Sequence, residues 1–271
     1  RRLTMSANYI QKLYSVEGKH AIVTGGGRGI GLMISDSLMK AGVSTLFLIS
    51  RKMSVIEKVA SAFSEKYPNQ KCIPIAADLS RESDILKAVE TIQQSTDHID
   101  ILVNNSGCNW GESIHTYPDS AWDKVLNLNV KSVFLLTRSL LPLLEAKSSS
   151  DDPSRVINIG SVDGVRVPQL ETFAYSASKA AVHQLTKVLS YHLGPKDITV
   201  NGIAAGPFPS KMMDETLESF REVILSGLVL KRVGEPNDIG GLCIFLSSRA
   251  SAWMTGAIIP LDGGTLVAAK L

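Results

Sequence analysis

The sequence predicts a single α/β domain, a parallel sheet covered by helices on both faces. Three observations carry this. Short β-rich runs alternate with helical stretches of about 10–20 residues, the order that builds strand–helix–strand units. Most strand runs are nearly continuous in Val, Ile, Leu and Ala, the composition of strands buried on both sides. The chain has 271 residues, 44% hydrophobic and 20% charged, enough for one sizeable core. The polar loop at 147–153 (KSSSDDP) is too short to link two domains, and no internal repeat appears.

The elements follow in order. A first strand over 20–24 runs into a Gly-rich turn, Thr24-Gly25-Gly26-Gly27-Arg28-Gly29-Ile30-Gly31, and a helix over 30–41 that Gly42 stops. The second strand, 45–50, ends at Ser50-Arg51-Lys52 and precedes a helix over 55–66, stopped by Pro68. A strand over 71–77 leads to Asp78-Leu79 and a helix over 82–94. The strand 99–104 opens into Asn104-Asn105-Ser106-Gly107, followed by a helix over 121–144 that is expected to break. The strand 155–160 delivers Ser161. The helix 175–193 carries Tyr175 and Lys179 and ends at Gly194-Pro195. The strand 198–203, a helix over 239–248 and a strand over 257–261 complete the pattern.

Composition narrows the function classes. Lys+Arg 28 against Asp+Glu 26 gives +2, so nothing points to a nucleic acid or another polyanion. No apolar run reaches the ~18–20 residues of a membrane span; the richest, 133–144, is broken by Arg138 and Pro142. Cys72, Cys108 and Cys243 are odd in number and far apart, which excludes a disulfide framework and a CxxC metal site and suits a reducing compartment. They are expected to be buried hydrophobes. His20, His98, His115, His183 and His192 lack ligand spacing, so structural or surface roles are expected and no metal.

At the ends, no signal peptide is expected; Met5 is a candidate start with Arg1–Thr4 as vector residues ahead of it. Residues 1–17 read as an extension, 18–264 as the catalytic domain and 265–271 as a tail. Ala269-Lys270-Leu271 is either a variant of the Ser-Lys-Leu peroxisomal address or a chance tripeptide, so the expected compartment is the cytoplasm or the peroxisomal matrix.

The Gly turn, TGxxxGxG, lets the chain turn sharply and lets a diphosphate approach the backbone, with free N–H groups at the start of the next helix. No Gly-Lys-Ser/Thr follows, which excludes a P-loop. An NAD site places a carboxylate about 20 residues past the Gly turn for the ribose 2′-hydroxyl. Here that stretch is Ser50-Arg51-Lys52, and Arg28 adds a second guanidinium, a pair suited to a 2′-phosphate. NADP is therefore expected rather than NAD. Tyr175 and Lys179, at i and i+4, share a helix face, where an ammonium is expected to draw the phenol pKa down toward working pH. Tyr67 and Lys71 have the same spacing, but Pro68 breaks the helix between them. Ser161, just past a strand end, lies where doubly wound sheets bind ligands.

Together these residues resemble the short-chain dehydrogenase/reductase family, over about 18–264. The resemblance implies a Rossmann-type domain, doubly wound, with strand order 3-2-1-4-5-6-7. It makes Thr24, Gly25, Gly27, Arg28, Gly29, Ile30 and Gly31 the phosphate turn, Ser50, Arg51 and Lys52 the ribose-phosphate contacts, and Asp78-Leu79 the adenine contact. Asn105, Ser106 and Gly107 match the family's NNAG, with Ser106 replacing Ala. Asn129 looks like the residue that holds a relay water. Ser161, Tyr175 and Lys179 complete a catalytic tetrad, the latter two also touching the cofactor. After the sixth strand the family's Pro-Gly is altered: Pro207 stands past Gly206, and Phe208 and Ser210 take the nicotinamide-side positions.

The stretches NNSGCNWGESIHTYP, PSRVINIGSVDG, KAAVHQL, GPFPSKM and MTGAIIPLDGG look most like ketoacyl reductases of the rhamnolipid-biosynthesis type. That implies reduction of a 3-oxoacyl or related β-keto substrate by NADPH, with Tyr175 as acid. Trp110, Ser161, Asp163, Gln169, Phe173 and Met212 are the substrate-side candidates. The Met- and Phe-rich segment 208–230 reads either as an adaptable apolar lid or as core and subunit interface. The rival readings are a polyol, sugar or small secondary-alcohol dehydrogenase, and a non-catalytic dinucleotide-binding sensor. The family implies a homo-oligomer, tetramer or dimer.

Overall fold

The apolar runs become strands because a parallel sheet buries both of their faces and pairs every backbone amide between them. The computed structural model describes residues 2–210 and 213–269, with backbone alone for 2–7 and 214–217. Its strands are β1 (His20–Thr24), β2 (Thr45–Ser50), β3 (Lys71–Ala76), β4 (Ile101–Asn104), β5 (Ser154–Ile159), β6 (Ile198–Ala205) and β7 (Ile258–Leu261). All pair in parallel, in the order β3-β2-β1-β4-β5-β6-β7. The register, Ala21 beside Leu46 and Ile101, brings the strand ends level. Pro74 in β3 is tolerated because β3 is an edge strand.

The helices are α1 (Arg2–Tyr14), α2 (Gly29–Lys40), α3 (Met53–Lys66), α4 (Glu82–Ser95), α5 (Asp119–Leu126), α6 (Ser132–Glu145), α7 (Phe173–Leu193), α8 (Asp214–Ser226) and α9 (Pro236–Ser247). Successive strand residues point to opposite faces, so two cores form. On one, Ile22, Phe47 and Leu102 meet Ile92 of α4, Leu136 of α6 and Leu189 of α7. On the other, Val23, Leu48 and Ile101 meet Leu38 of α2, Phe63 of α3 and Cys243 of α9. Each fully buried aliphatic side chain contributes roughly 1.5–3 kcal/mol.

Helices end where Gly and Pro stop them. Gly42, at φ 98°, donates its N–H to the Met39 carbonyl after α2, and Pro68 follows α3. The break expected within 121–144 is a π-helical turn, Asn127–Lys131, between α5 and α6. Two helices fall where no element is predicted. α1 occupies the N-terminal extension, and α8 lies in the proposed lid. α8 is a surface helix with Phe220 and Val223 exposed, so these two are not core. Chemistry-bearing loops leave the carboxyl ends of β1, β4, β5 and β6, and the winding reverses between β1 and β4, where doubly wound sheets open a ligand crevice. No described helix is long and apolar enough to cross a membrane.

Candidate active site

Asn104, at the end of β4, donates to Asn158 Oδ1 at 2.9 Å, and Asn158 donates to Thr186 Oγ1 of α7 at 2.9 Å. This buried polar chain fixes α7 against the ends of β4 and β5. Tyr175 and Lys179 then lie over those ends. Lys179 is 6% exposed, its Nζ donates to the Ile159 carbonyl at 2.8 Å, and it stands 5.6 Å from the centroid of the Tyr175 ring. Ser161 begins a short 3-10 turn, Val162–Gly164, and accepts the Asp163 N–H at 3.1 Å. Its hydroxyl acts on the Tyr175 phenol.

Burial governs both titrating groups. It pushes the Tyr175 phenol up to about 12, against the downward pull of the Ser161 hydroxyl, and pushes Lys179 down to about 8. The expected downward draw of the ammonium is not among the influences on the phenol, where desolvation is the largest and Asp163 and Cys108 add to it. Both shifts favour the neutral form of the group they act on.

Asn129 lies in the π-helical turn and is buried. It accepts the Cys108 N–H, and its amide donates to the Cys108 carbonyl and to Ser178 Oγ, each at 2.9 Å. Its direct partners are thus the loop after β4 and α7, not Lys179.

The Gly turn has the shape a dinucleotide phosphate needs. Gly25 and Gly29 hold positive φ, 65° and 52°, and a Cβ on Gly31 would strike the Gly25 carbonyl oxygen. Thr24 is buried: its hydroxyl accepts the N–H groups of Asn105 and Ser106, each at 2.9 Å, and Asn105 donates back to the Thr24 carbonyl at 2.9 Å. Thr24 therefore staples the loop after β1 to the loop after β4. A Cβ on Gly29 would lie 2.9 Å from Ser210 Cβ, which brings Ser210 to the turn. Arg28, Arg51 and Lys52 are exposed. Burial pushes Asp78 up, but the hydroxyl and amide of Ser80, then Arg51 and Arg81, hold it below the usual carboxylate range. Leu79 belongs to the core.

The other predicted positions have neighbours of their own. The Phe208 ring is buried, packed where a Cβ on Gly234 would be, so only its backbone is left for a cofactor. Asp163 is ion-paired with Arg166 at 3.0 Å. Lys124 sits 4.7 Å above the Trp110 ring, and Phe173 meets Tyr117 edge-on at 5.3 Å. Gln169 is exposed. Met212, like Lys270 and Leu271 of the terminal tripeptide, lies outside the described residues. Ile114, Tyr117, Trp122, Val167, Leu170 and Phe173 line a largely apolar cavity of about 590 Å³ beside the start of α7, with Arg166 also in its wall.

Cys72 and Cys108 are only partly buried, unlike Cys243, because Cys72 lies on the edge strand and Cys108 on the site loop. Sequence reasoning placed His183 only among the structural or surface histidines, and it is buried on α7. Its i+8 spacing from Tyr175 on one helix face was the available signal.

The sequence matches the family model for short chain dehydrogenase over residues 19–220. It is 41% identical over 253 residues to the rhamnolipids biosynthesis 3-oxoacyl-[acyl-carrier-protein] reductase of Pseudomonas aeruginosa, covering 93% of this chain and 97% of that protein. The 5-keto-D-gluconate 5-reductase of Escherichia coli is 31% identical, with 94% and 98% covered. The solved Pseudomonas aeruginosa RhlG/NADP active-site complex superposes with a TM-score of 0.88 at 39% identity, covering 94% of this chain and 98% of that one.

Proposed function

Because the chain belongs to the short-chain dehydrogenase family, we propose that it is an NADPH-dependent ketone reductase whose substrates are 3-oxoacyl thioesters or related β-keto compounds. The observation that carries this is the grouping of Ser161, Tyr175 and Lys179: a half-buried phenol facing Ser161 and backed by a buried lysine that has no carboxylate partner among the described residues.

Gly25, Gly29 and Gly31 with the start of α2 suit the diphosphate of NADPH, and Arg28 and Arg51 suit its 2′-phosphate. When bound, the cofactor supplies hydride to the carbonyl carbon. Ser161 and Tyr175 hydrogen-bond the carbonyl oxygen as negative charge grows on it. Tyr175 then gives that oxygen its proton, and Lys179 stabilises the phenolate left behind. Asn129 holds the Cys108 backbone and Ser178 so that the loop and α7 keep their spacing.

The apolar cavity next to Phe173 favours an acyl chain over a polyol, and Asp163, which a polyol would engage, is taken by Arg166. The test is a panel of 3-oxoacyl thioesters, β-keto esters, diketones and 5-ketogluconate with NADPH and NADH. Turnover is expected with the β-keto compounds and NADPH. Arg51→Ala should weaken NADPH about 10- to 100-fold, a charged hydrogen bond being worth roughly 1.5–3 kcal/mol, and leave NADH unchanged. Faster reduction of 5-ketogluconate than of any thioester would replace this reading with the sugar one.

A further inference from the structure

Gly160 and Gly164 bracket the Ser161 turn, and both face one side chain. A Cβ on Gly160 would run into Nε2 of His183, and one on Gly164 would lie 3.0 Å from His183 Cε1 and 2.6 Å from the Lys179 carbonyl carbon. The turn therefore rests on α7, on the imidazole beneath Gly160 and on the backbone of Lys179 and Ala180, with the imidazole beside them, beneath Gly164. His183 is 7% exposed, and its Nε2 has no hydrogen-bond partner among the described residues. An unpartnered buried nitrogen costs free energy that an aliphatic residue would avoid, so the ring is costly as packing alone.

The turn is tied together: the Gly164 N–H donates to the Ser161 carbonyl at 3.0 Å and the Asp163 N–H to the Ser161 hydroxyl at 3.1 Å. Lys179 has a separate anchor, the Ile159 carbonyl.

We infer that His183 is a positioning residue: the spacer under the Gly160–Gly164 turn that sets where the Ser161 hydroxyl meets the Tyr175 phenol. The inference rests on the proposed roles of Ser161 and Tyr175. It acts through Ser161 and leaves cofactor binding alone.

A double-mutant cycle tests it, with NADPH and ethyl acetoacetate as the ketone. His183→Ala should lower kcat about 10- to 100-fold and leave the NADPH Kd within about twofold, the range expected when a catalytic hydroxyl is displaced. Ser161→Ala should then cost much less in that background than alone, since the hydroxyl is already out of place. Gly160→Ala should damage the wild type, yet recover kcat in the His183→Ala protein by filling the space. That double variant also carries the test if His183→Ala alone does not fold. The Asp163 and Gly164 amides should exchange hydrogen faster in His183→Ala, while those around Lys179 stay protected. Additive losses for His183→Ala and Ser161→Ala, or unchanged exchange at the turn, overturn the spacer. A wild type inactive on every ketone of the panel overturns the functional reading instead, and exchange then decides the spacer alone.

Discussion

Two buried cations stand at opposite ends of β5. Arg155, 1% exposed, lies at its start; Lys179, 6% exposed, donates to the carbonyl of its last residue, Ile159. Arg155 is paired with Asp152 at 3.3 Å and donates to the Ser248 carbonyl at 3.0 Å, and Lys19 and Arg249 share the same carboxylate at 2.9 and 3.5 Å. Among the described residues Lys179 has no acidic partner. A buried charge is stable when paired and costly when not. The ions at the amino end of the sheet hold the chain together; the carboxyl end keeps one uncompensated, where the proposed mechanism moves a proton.

The largest effect should come from Lys179→Met. Loss of the phenol's support should lower kcat at least about 100-fold. The same change should raise stability at pH 7 by as much as about 3 kcal/mol, because there Lys179 is charged in both states and carries its full desolvation cost. Between pH 8 and 10.5 the folded wild type is neutral while the unfolded chain still binds the proton. Its stability therefore climbs with pH and the variant's advantage shrinks. A variant less stable than wild type in urea at pH 7 would break the contrast.

Asp152→Asn should do the opposite. It removes the carboxylate that Arg155, Lys19 and Arg249 share, leaving Arg155 the Ser248 carbonyl, and is expected to cost up to about 3 kcal/mol in a denaturation curve, with kcat/KM unchanged.

The smallest effect concerns acid. Burial, then Lys179 and Lys187, push His183 down to about 4. It is neutral in the fold, whereas the unfolded imidazole protonates near 6.5. Stability should fall as pH drops from 6.5 toward 4, by no more than about 3 kcal/mol, and His183→Asn should flatten that slope.

The strands, the Gly turn and the Tyr175/Lys179 pair were legible because each is a local pattern (an apolar run, a cluster of glycines, a spacing on one helix), whereas the strand order came only from the family resemblance. α8 was not: it lies in the segment read as a lid or an interface, and its Phe220 and Val223 stay exposed. Phe208 illustrates the same limit. Its place in the chain marks it as a cofactor neighbour, and only Gly234, arriving from elsewhere, shows that its ring is core.

What the amino-acid sequence determined by itself, then, is the parallel sheet and the chemistry-bearing side chains at its carboxyl ends, because hydrophobic period and i,i+4 spacing act within a few residues. Tertiary packing alone decided the direction of the phenol's shift, the pairing of Asp163 with Arg166 and the meeting of His183 with two glycines. Desolvation and steric fit depend on neighbours distant in the chain, and no local pattern encodes them.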